Sequence, residues 1–221
     1  MTPDPFSPLR AVRDSPRRIV AITAYDFPSA KLVDELGIDL ILVGDSLGMV
    51  VAGLPDTTGV TMEQMVYHTE IVARGVEKTL LVSDLPFRSY ETVEQTLENG
   101  RRLIEAGADA VKLEGGSGQK EKIAGLTAAG LPVVGHLGLL PQRVREEGGS
   151  QKKGKTEAET EHLLRSASEL ENGGVGAFIL EGVVPDVAAR MTAAVDAPTI
   201  GIGSGTVCDG EIRVLHDIIG A

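Results

Sequence analysis

The chain has 221 residues, which suits one domain with a substantial core but is somewhat short for a complete eight-stranded α/β barrel of about 250 residues. Apolar residues make up 42% and aromatics only 3%, with no Trp, so Val, Leu, Ile and Ala must build the core. The 32 acidic against 21 basic side chains give a net charge of −11, which argues against nucleic acid as a partner, because a phosphate backbone needs a concentrated basic surface.

After a Pro-rich opening over residues 1–16, β-like and helix-like segments alternate, the signature of parallel βα units within one domain spanning 1–221. The first strand is expected over 18–25 and its helix over 27–36. The second strand, 40–44, runs into a long loop, 45–59, whose Gly48, Gly53, Pro55 and Gly59 stop any helix. Thr61 then opens a helix with Glu63 and Gln64 in its first turn, as an N-cap requires. The third strand, 79–83, is followed past Pro86 by a helix over 92–106. The fourth, 110–113, leads to a helix near 119–129.

The fifth strand, 132–135, opens into a second long loop, 137–155, polar and Gly-rich with Lys152, Lys153 and Lys155, of the kind that forms lids. A helix over 156–172, a strand over 177–180, a helix over 184–194 and a strand over 198–202 follow. Glu157, Glu159, Glu161, Glu169 and Glu171 read as the solvated face of the first of these helices. Residues 212–216 fit either an eighth strand or a short helix, and neither choice leaves room for a closing helix.

Cys208 is the only cysteine, so no intrachain disulfide exists and a reducing compartment is expected. No apolar stretch reaches the roughly 18 residues that span a bilayer, and MTPDPFSPLR lacks the hydrophobic segment of a signal peptide. The expectation is a cytoplasmic protein without a membrane partner.

Five apolar runs end in ionisable residues: Asp45, Asp84, Glu114, His136 and Glu181. Parallel strands joined by helices gather their carboxyl ends on one face, so these side chains should meet at one site. Asp45, Asp84 and Glu114 offer hard oxygen ligands, which favour Mg²⁺ over zinc. A plain alternative is that an Asp after a strand caps the next helix. Lys112 and Glu114, two apart on one strand, share a face. An inward Lys112 needs an anion, either a neighbouring carboxylate in a structural ion pair or the carboxylate of a substrate.

His136 either orients a substrate oxygen or serves as a hydrogen-bonded supporting residue. Glu181 stands alone, where burial would raise its pKa and suit it to act as a base, unless Arg143 or Arg145 pairs with it. Three signals are weaker. Gly201, Gly203 and Gly205 read as a close-packed turn and not as a dinucleotide fingerprint. His68 and His216 read as core or interface residues, and Tyr25 and Asp26 as minor substrate contacts at the end of the first strand.

The motifs ITAYDFPSAKL, LVGDSLGMVVAG, MVYHT, SDLPFRSY, VKLEGG, GHLGLLPQ, IGIGSG and DGEIRVLHD together resemble the ketopantoate hydroxymethyltransferase family from about Ile19 to Gly220. The resemblance implies a (βα)₈ TIM-type barrel. It also implies a Mg²⁺ site and transfer of a one-carbon unit from 5,10-methylenetetrahydrofolate to the small oxo acid 3-methyl-2-oxobutanoate, giving 2-dehydropantoate for pantothenate synthesis. By position it assigns Asp45, Asp84 and Glu114 to the metal, Asp45, Ser46, Asp84 and Lys112 to the oxo acid, Glu181 to proton acceptance and His136 to the pocket. It further implies a homo-oligomer, often a decamer.

Two features depart from the family pattern. The loop segment GGSQKKGKT lacks the usual aromatic residue and Val-Gln pair, and family members usually continue past the last residue here, so the barrel is expected to lack its closing helix and to expose apolar surface. Two other readings stand beside the main one: a C–C lyase or mutase using metal-enolate chemistry on another oxo acid, and a truncated, catalytically silent assembly partner.

Overall fold

The computed structural model describes residues 4–146, 148–149 and 151–220. Residues 1–3 of the Pro-rich opening, Glu147 and Ser150 of the long fifth loop, and Ala221 lie outside the described residues. Eight strands close into a parallel barrel in simple chain order: β1 Ile19–Thr23, β2 Leu40–Val43, β3 Leu80–Asp84, β4 Ala110–Glu114, β5 Val133–Gly138, β6 Ala177–Glu181, β7 Thr199–Ile202 and β8 Gly210–Arg213. β8 pairs with β7 on one side and β1 on the other. The expected (βα)₈ barrel is therefore the observed architecture.

The helices are α1 Ser7–Arg13, α2 Phe27–Glu35, α3 Leu47–Val50, α4 Met62–Ala73, α5 Val93–Glu105, α6 Lys120–Ala128, α7 Glu157–Asn172, α8 Pro185–Ala194 and α9 Leu215–Ile219. Several begin where side chains satisfy the orphan N–H groups of the first turn. Thr61 Oγ1 accepts from Gln64 N–H at 3.2 Å and Gln64 Oε1 accepts from Thr61 N–H at 2.9 Å, a reciprocal capping box that starts α4. Thr92 Oγ1 and Thr156 Oγ1 accept from the Gln95 and Glu159 N–H groups and so cap α5 and α7.

Two apolar clusters share the strands between them. One packs outward-facing residues such as Ile41, Val43, Leu81, Val111 and Phe178 against the helices. The other lies inside the barrel and contains Ile19, Ala21, Leu40, Leu42, Leu80, Val82, Ala110, Val134, Ala177, Ile179, Ile200 and Ile212. Period-two alternation explains the division, since every second residue of a strand faces the barrel axis. Continued upward, the same alternation brings Asp84, Lys112, Glu114, His136 and Glu181 to the inner face at the carboxyl ends.

The opening segment is more ordered than its prolines suggest. Pro8 sits in the first turn of α1, where a missing N–H costs nothing. Phe6, Leu9 and Val12 are buried in the inner cluster and plug the amino-terminal mouth. A Cβ on Gly176 would lie 2.1 Å from Phe6 Cδ2, so only glycine admits the ring there.

Residues 212–216 divide between the two alternatives read from the sequence. β8 begins earlier, at Gly210, and the short helix α9 follows it, so the barrel does carry a five-residue helix after its last strand. Ile218 and Ile219 of α9 are exposed. The connection between β7 and β8 has no helix. There Ser204 Oγ donates to Leu180 O at 2.7 Å and accepts from Val183 N–H at 3.0 Å, which bears out the close-packed turn expected of Gly201, Gly203 and Gly205.

Candidate active site

Strand register builds the site. Asp84 lies beside Lys112, Glu114 beside His136, and Gly138 beside Glu181 on neighbouring strands. His136 is inside β5, which runs three residues beyond the expected end to Gly138. A Cβ on Gly138 would lie 2.2 Å from Glu181 O, so this glycine, at φ +104°, lets β5 pass close to the base candidate on β6. Asp45 and Ser46 follow β2 at the start of α3. Neither caps α3 through its side chain, so the helix-cap alternative for Asp45 does not hold.

The six groups form one connected chain. Asp45 N–H donates to Asp84 Oδ2 at 3.1 Å. Lys112 Nζ is 2.9 Å from Asp84 Oδ1, an ion pair off the direction of a good hydrogen bond, and 3.3 Å from His136 Nδ1. His136 Nδ1 is 3.4 Å from Glu114 Oε1, and its Nε2 is 3.4 Å from Glu181 Oε2. Asp45, Asp84, Lys112, Glu114 and His136 are all at least 96% buried; the Glu181 side chain keeps 23% of its surface. Glu181 is thus more open than its isolated strand end suggested. Its neighbour is His136, while Arg145 pairs with Asp56.

Burial without enough counter-charge shapes the electrostatics. Burial, then the charges of Asp84 and Glu114, push the Asp45 carboxyl well above the ordinary carboxylate range. Burial also raises Asp84, with Lys112 opposing. Glu114 goes the other way: burial pushes it up, but His136, Lys112 and the Gln142 backbone N–H together bring it down. Lys112 is raised because the charges of Asp84, Glu114 and Asp45 outweigh its burial. His136 is pushed up to about 9, where Glu114 and Glu181 overcome burial and the repulsion of Lys112.

A cavity of about 310 Å³ opens over this chain, and its apolar walls include Leu42, Ile179, Ile202 and Ile212. Ser46 is half-buried at its edge, and its Oγ lies 2.8 Å from the Tyr25 hydroxyl. Tyr25, buried and pushed up to about 12 mainly by that burial, stays protonated as a hydrogen-bonding partner. Asp26, by contrast, is exposed and caps α2 through Ser29 N–H at 2.8 Å. His68 Nδ1 contacts Tyr25 O at 2.7 Å and His216 packs against the Tyr25 ring, so both are supporting residues of the mouth.

Among the described residues, no group of three or more His, Cys, Asp or Glu side chains is arranged to hold a metal ion. Glu114 is held by His136 and by the Gln142 backbone N–H. The chemistry of the donors still fits a hard dication. Asp45 and Asp84 are adjacent carboxylates, among the described residues the buried Asp84 Oδ1 has only the Lys112 ammonium beside it, and Asp45 is destabilised as an anion by burial and then by its acidic neighbours. Mg²⁺ typically takes one or two carboxylates and fills its remaining positions with water and substrate oxygens.

Gln142 and Tyr90 were missed in the sequence reading. Gln142, in the 3₁₀ turn Pro141–Arg143 after β5, reaches Asp45 and Glu114, and Tyr90 hydrogen-bonds to its side chain. A neutral amide in a loop carries no charge signal. Only its place at the end of GHLGLLPQ marked it.

A parallel α/β barrel with a buried lysine, a histidine and four carboxylates at its carboxyl-terminal mouth is an enzyme architecture, because stability alone gives no return for assembling such charges. The comparisons agree on the fold and narrow the class. The barrel superimposes with a TM-score of 0.73 and 17% identity on a phosphonopyruvate hydrolase solved with oxalate and Mg²⁺, over 98% of this chain and 82% of that one. An oxaloacetate acetylhydrolase bound to its product oxalate gives a TM-score of 0.73 at 16% identity, with the same coverage. At such identities these matches establish the fold alone. The family model for ketopantoate hydroxymethyltransferase matches residues 6–221. Proteins named 3-methyl-2-oxobutanoate hydroxymethyltransferase are 57% identical in Pyrobaculum islandicum, over 91% of this chain and 77% of the relative, and 52% identical in Pyrococcus abyssi, over 92% and 72%. The chain belongs to the ketopantoate hydroxymethyltransferase family, and is a transferase.

Proposed function

We propose that the protein transfers a hydroxymethyl group from 5,10-methylenetetrahydrofolate to 3-methyl-2-oxobutanoate, giving 2-dehydropantoate on the route to pantothenate, with Mg²⁺ as its cation. The observation that supports this reading is the buried run from Asp45 through Asp84, Lys112 and His136 to Glu181, whose carboxylates, lysine and histidine border one small cavity with apolar walls.

Asp45 and Asp84, with Glu114, are the residues that would hold Mg²⁺. When bound, the ion supplies positive charge that stabilises negative charge developing on the oxo acid oxygens. Lys112 and Ser46 anchor the substrate carboxylate and fix its orientation, and Leu42, Ile179, Ile202 and Ile212 receive its branched alkyl group. Glu181 removes the proton from C3. His136, 3.4 Å away, stabilises the Glu181 carboxylate before the transfer. The C3 carbanion bonds to the methylene carbon and water supplies the hydroxyl oxygen as the two C–N bonds to the folate break, and the proton from C3 and one from water end on the two nitrogens of the departing tetrahydrofolate.

Assembly into a homo-oligomer, as a decamer, belongs to the same proposal. Leu32 and Leu36 on α2 and Ile218 and Ile219 on α9, all exposed, support it, and light scattering on the purified chain tests it. Localisation to the cytoplasm is likewise proposed; no described helix is long and apolar enough to cross a membrane. The activity test is direct. 2-Dehydropantoate should form only when 3-methyl-2-oxobutanoate, methylenetetrahydrofolate and Mg²⁺ are all present, and formation without the folate would overturn the donor assignment.

A further inference from the structure

We propose that Gln142 is a positioning residue that sets the carboxylate planes of Asp45 and Glu114 for a shared divalent cation. The inference rests on the cation reading above and adds a residue outside its ligand set. Gln142 is 2% exposed. Its side-chain Nε2 donates to Asp45 Oδ2 at 2.8 Å and to Leu85 O at 3.0 Å, and its backbone N–H donates to Glu114 Oε2 at 3.1 Å. Its Oε1 accepts from the Tyr90 hydroxyl.

The network admits one orientation of the amide. Both partners of Nε2 are pure acceptors, a carboxylate and a backbone carbonyl, while the partner of Oε1 brings a donor. Turning the amide over would press a carbonyl oxygen against Asp45 and Leu85 O. Tyr90 therefore locks Gln142, and Gln142 ties one oxygen of each of two carboxylates to the loop after β5.

The choice of a neutral donor has a consequence for charge. A lysine or arginine at this place would satisfy the same oxygens but would cancel the negative charge that attracts a cation. An amide orients the carboxylates and leaves their charge in place. Hydrogen bonds of this kind to ligating groups are typically worth about 10- to 100-fold in metal affinity.

The test is a titration of the 221-residue chain with Mn²⁺ alone, followed by electron paramagnetic resonance, in wild type, Gln142→Leu, Tyr90→Phe and the double variant. Gln142→Leu should weaken Mn²⁺ binding about 10- to 100-fold. Tyr90→Phe should weaken it less, and the double variant should bind as Gln142→Leu does, because Tyr90 acts through Gln142. A lowered melting temperature with unchanged Mn²⁺ affinity would show a purely structural role and overturn the inference. Should Gln142→Leu fail to fold, Tyr90→Phe decides alone, and wild-type affinity in that variant overturns it. If wild type itself binds no Mn²⁺, the cation reading falls and takes this inference with it; binding by wild type with equal binding by Gln142→Leu removes only the inference.

Discussion

The two ends of the barrel use the same side chain for opposite purposes. At the amino-terminal end, Asp34 is buried and accepts N–H bonds from Lys78 at 3.0 Å and Thr79 at 2.9 Å. Burial pushes its carboxyl up, but the donors of Thr79 and Lys78 prevail and hold it below its ordinary value. Asp39, Asp109 and Asp209 likewise accept from the N–H groups of Val20, Leu81 and Thr199. At the carboxyl-terminal end, Asp45 is also buried, but it faces Asp84 and Glu114 and is raised instead. Backbone donors satisfy the first set with no further need of a ligand. Asp45 and Asp84 lack that compensation from the protein, and the proposed cation would supply it.

That contrast can be broken at either end. The largest effect is expected at Glu181. Glu181→Gln should cut proton exchange at C3 of 3-methyl-2-oxobutanoate by about 10²- to 10⁴-fold while leaving Mn²⁺ affinity near wild type; exchange at the wild-type rate would remove Glu181 from the chemistry. Lys112→Met strips the cation from among three acids and should lower stability by about 3–5 kcal/mol, read by urea unfolding without metal. Mg²⁺ should restore part of that loss, and a variant as stable as wild type would show that the acids do not depend on Lys112.

Phe6→Ala empties the plug beneath Gly176. It should cost about 3–5 kcal/mol by the same measurement, with per-molecule exchange activity of the folded fraction unchanged. Loss of activity in that fraction would mean that the two ends are coupled. Asp34→Ala, the smallest, should cost about 1–3 kcal/mol by leaving two N–H groups unsatisfied. Because the Asp34 carboxyl is held low in the folded state, its contribution is present above the ordinary carboxylate range and fades as pH falls through the lowered value. Stability of wild type and variant should therefore converge in acid, and a difference that persists there would point to lost packing instead.

The strand ends were legible because an apolar run broken by one charge is a strong local signal, and all five of Asp45, Asp84, Glu114, His136 and Glu181 arrive at one mouth. Period two put Lys112 and Glu114 on one inward face but left the partner of Lys112 open, and the register of β3 against β4 supplies Asp84. Other features depended on distant partners. Helix α1 hides among prolines, and its role shows only when Phe6, Leu9 and Val12 meet the barrel floor. β5 continues to Gly138 because Glu181 O accepts the next N–H, that of Leu139, at 2.7 Å, which no local pattern announces. β8 begins at Gly210 because β1 and β7 pair with it there. Gln142 gains its meaning from four hydrogen bonds to segments far along the chain.

The central claim is that this mouth assembles a cation, an oxo acid and a base at once. It is tested most directly by following deuterium incorporation at C3 of 3-methyl-2-oxobutanoate in D₂O with Mg²⁺ and no folate. The account predicts exchange that EDTA abolishes and added Mg²⁺ restores. A folded protein that gives no exchange, or exchange indifferent to EDTA, would contradict it.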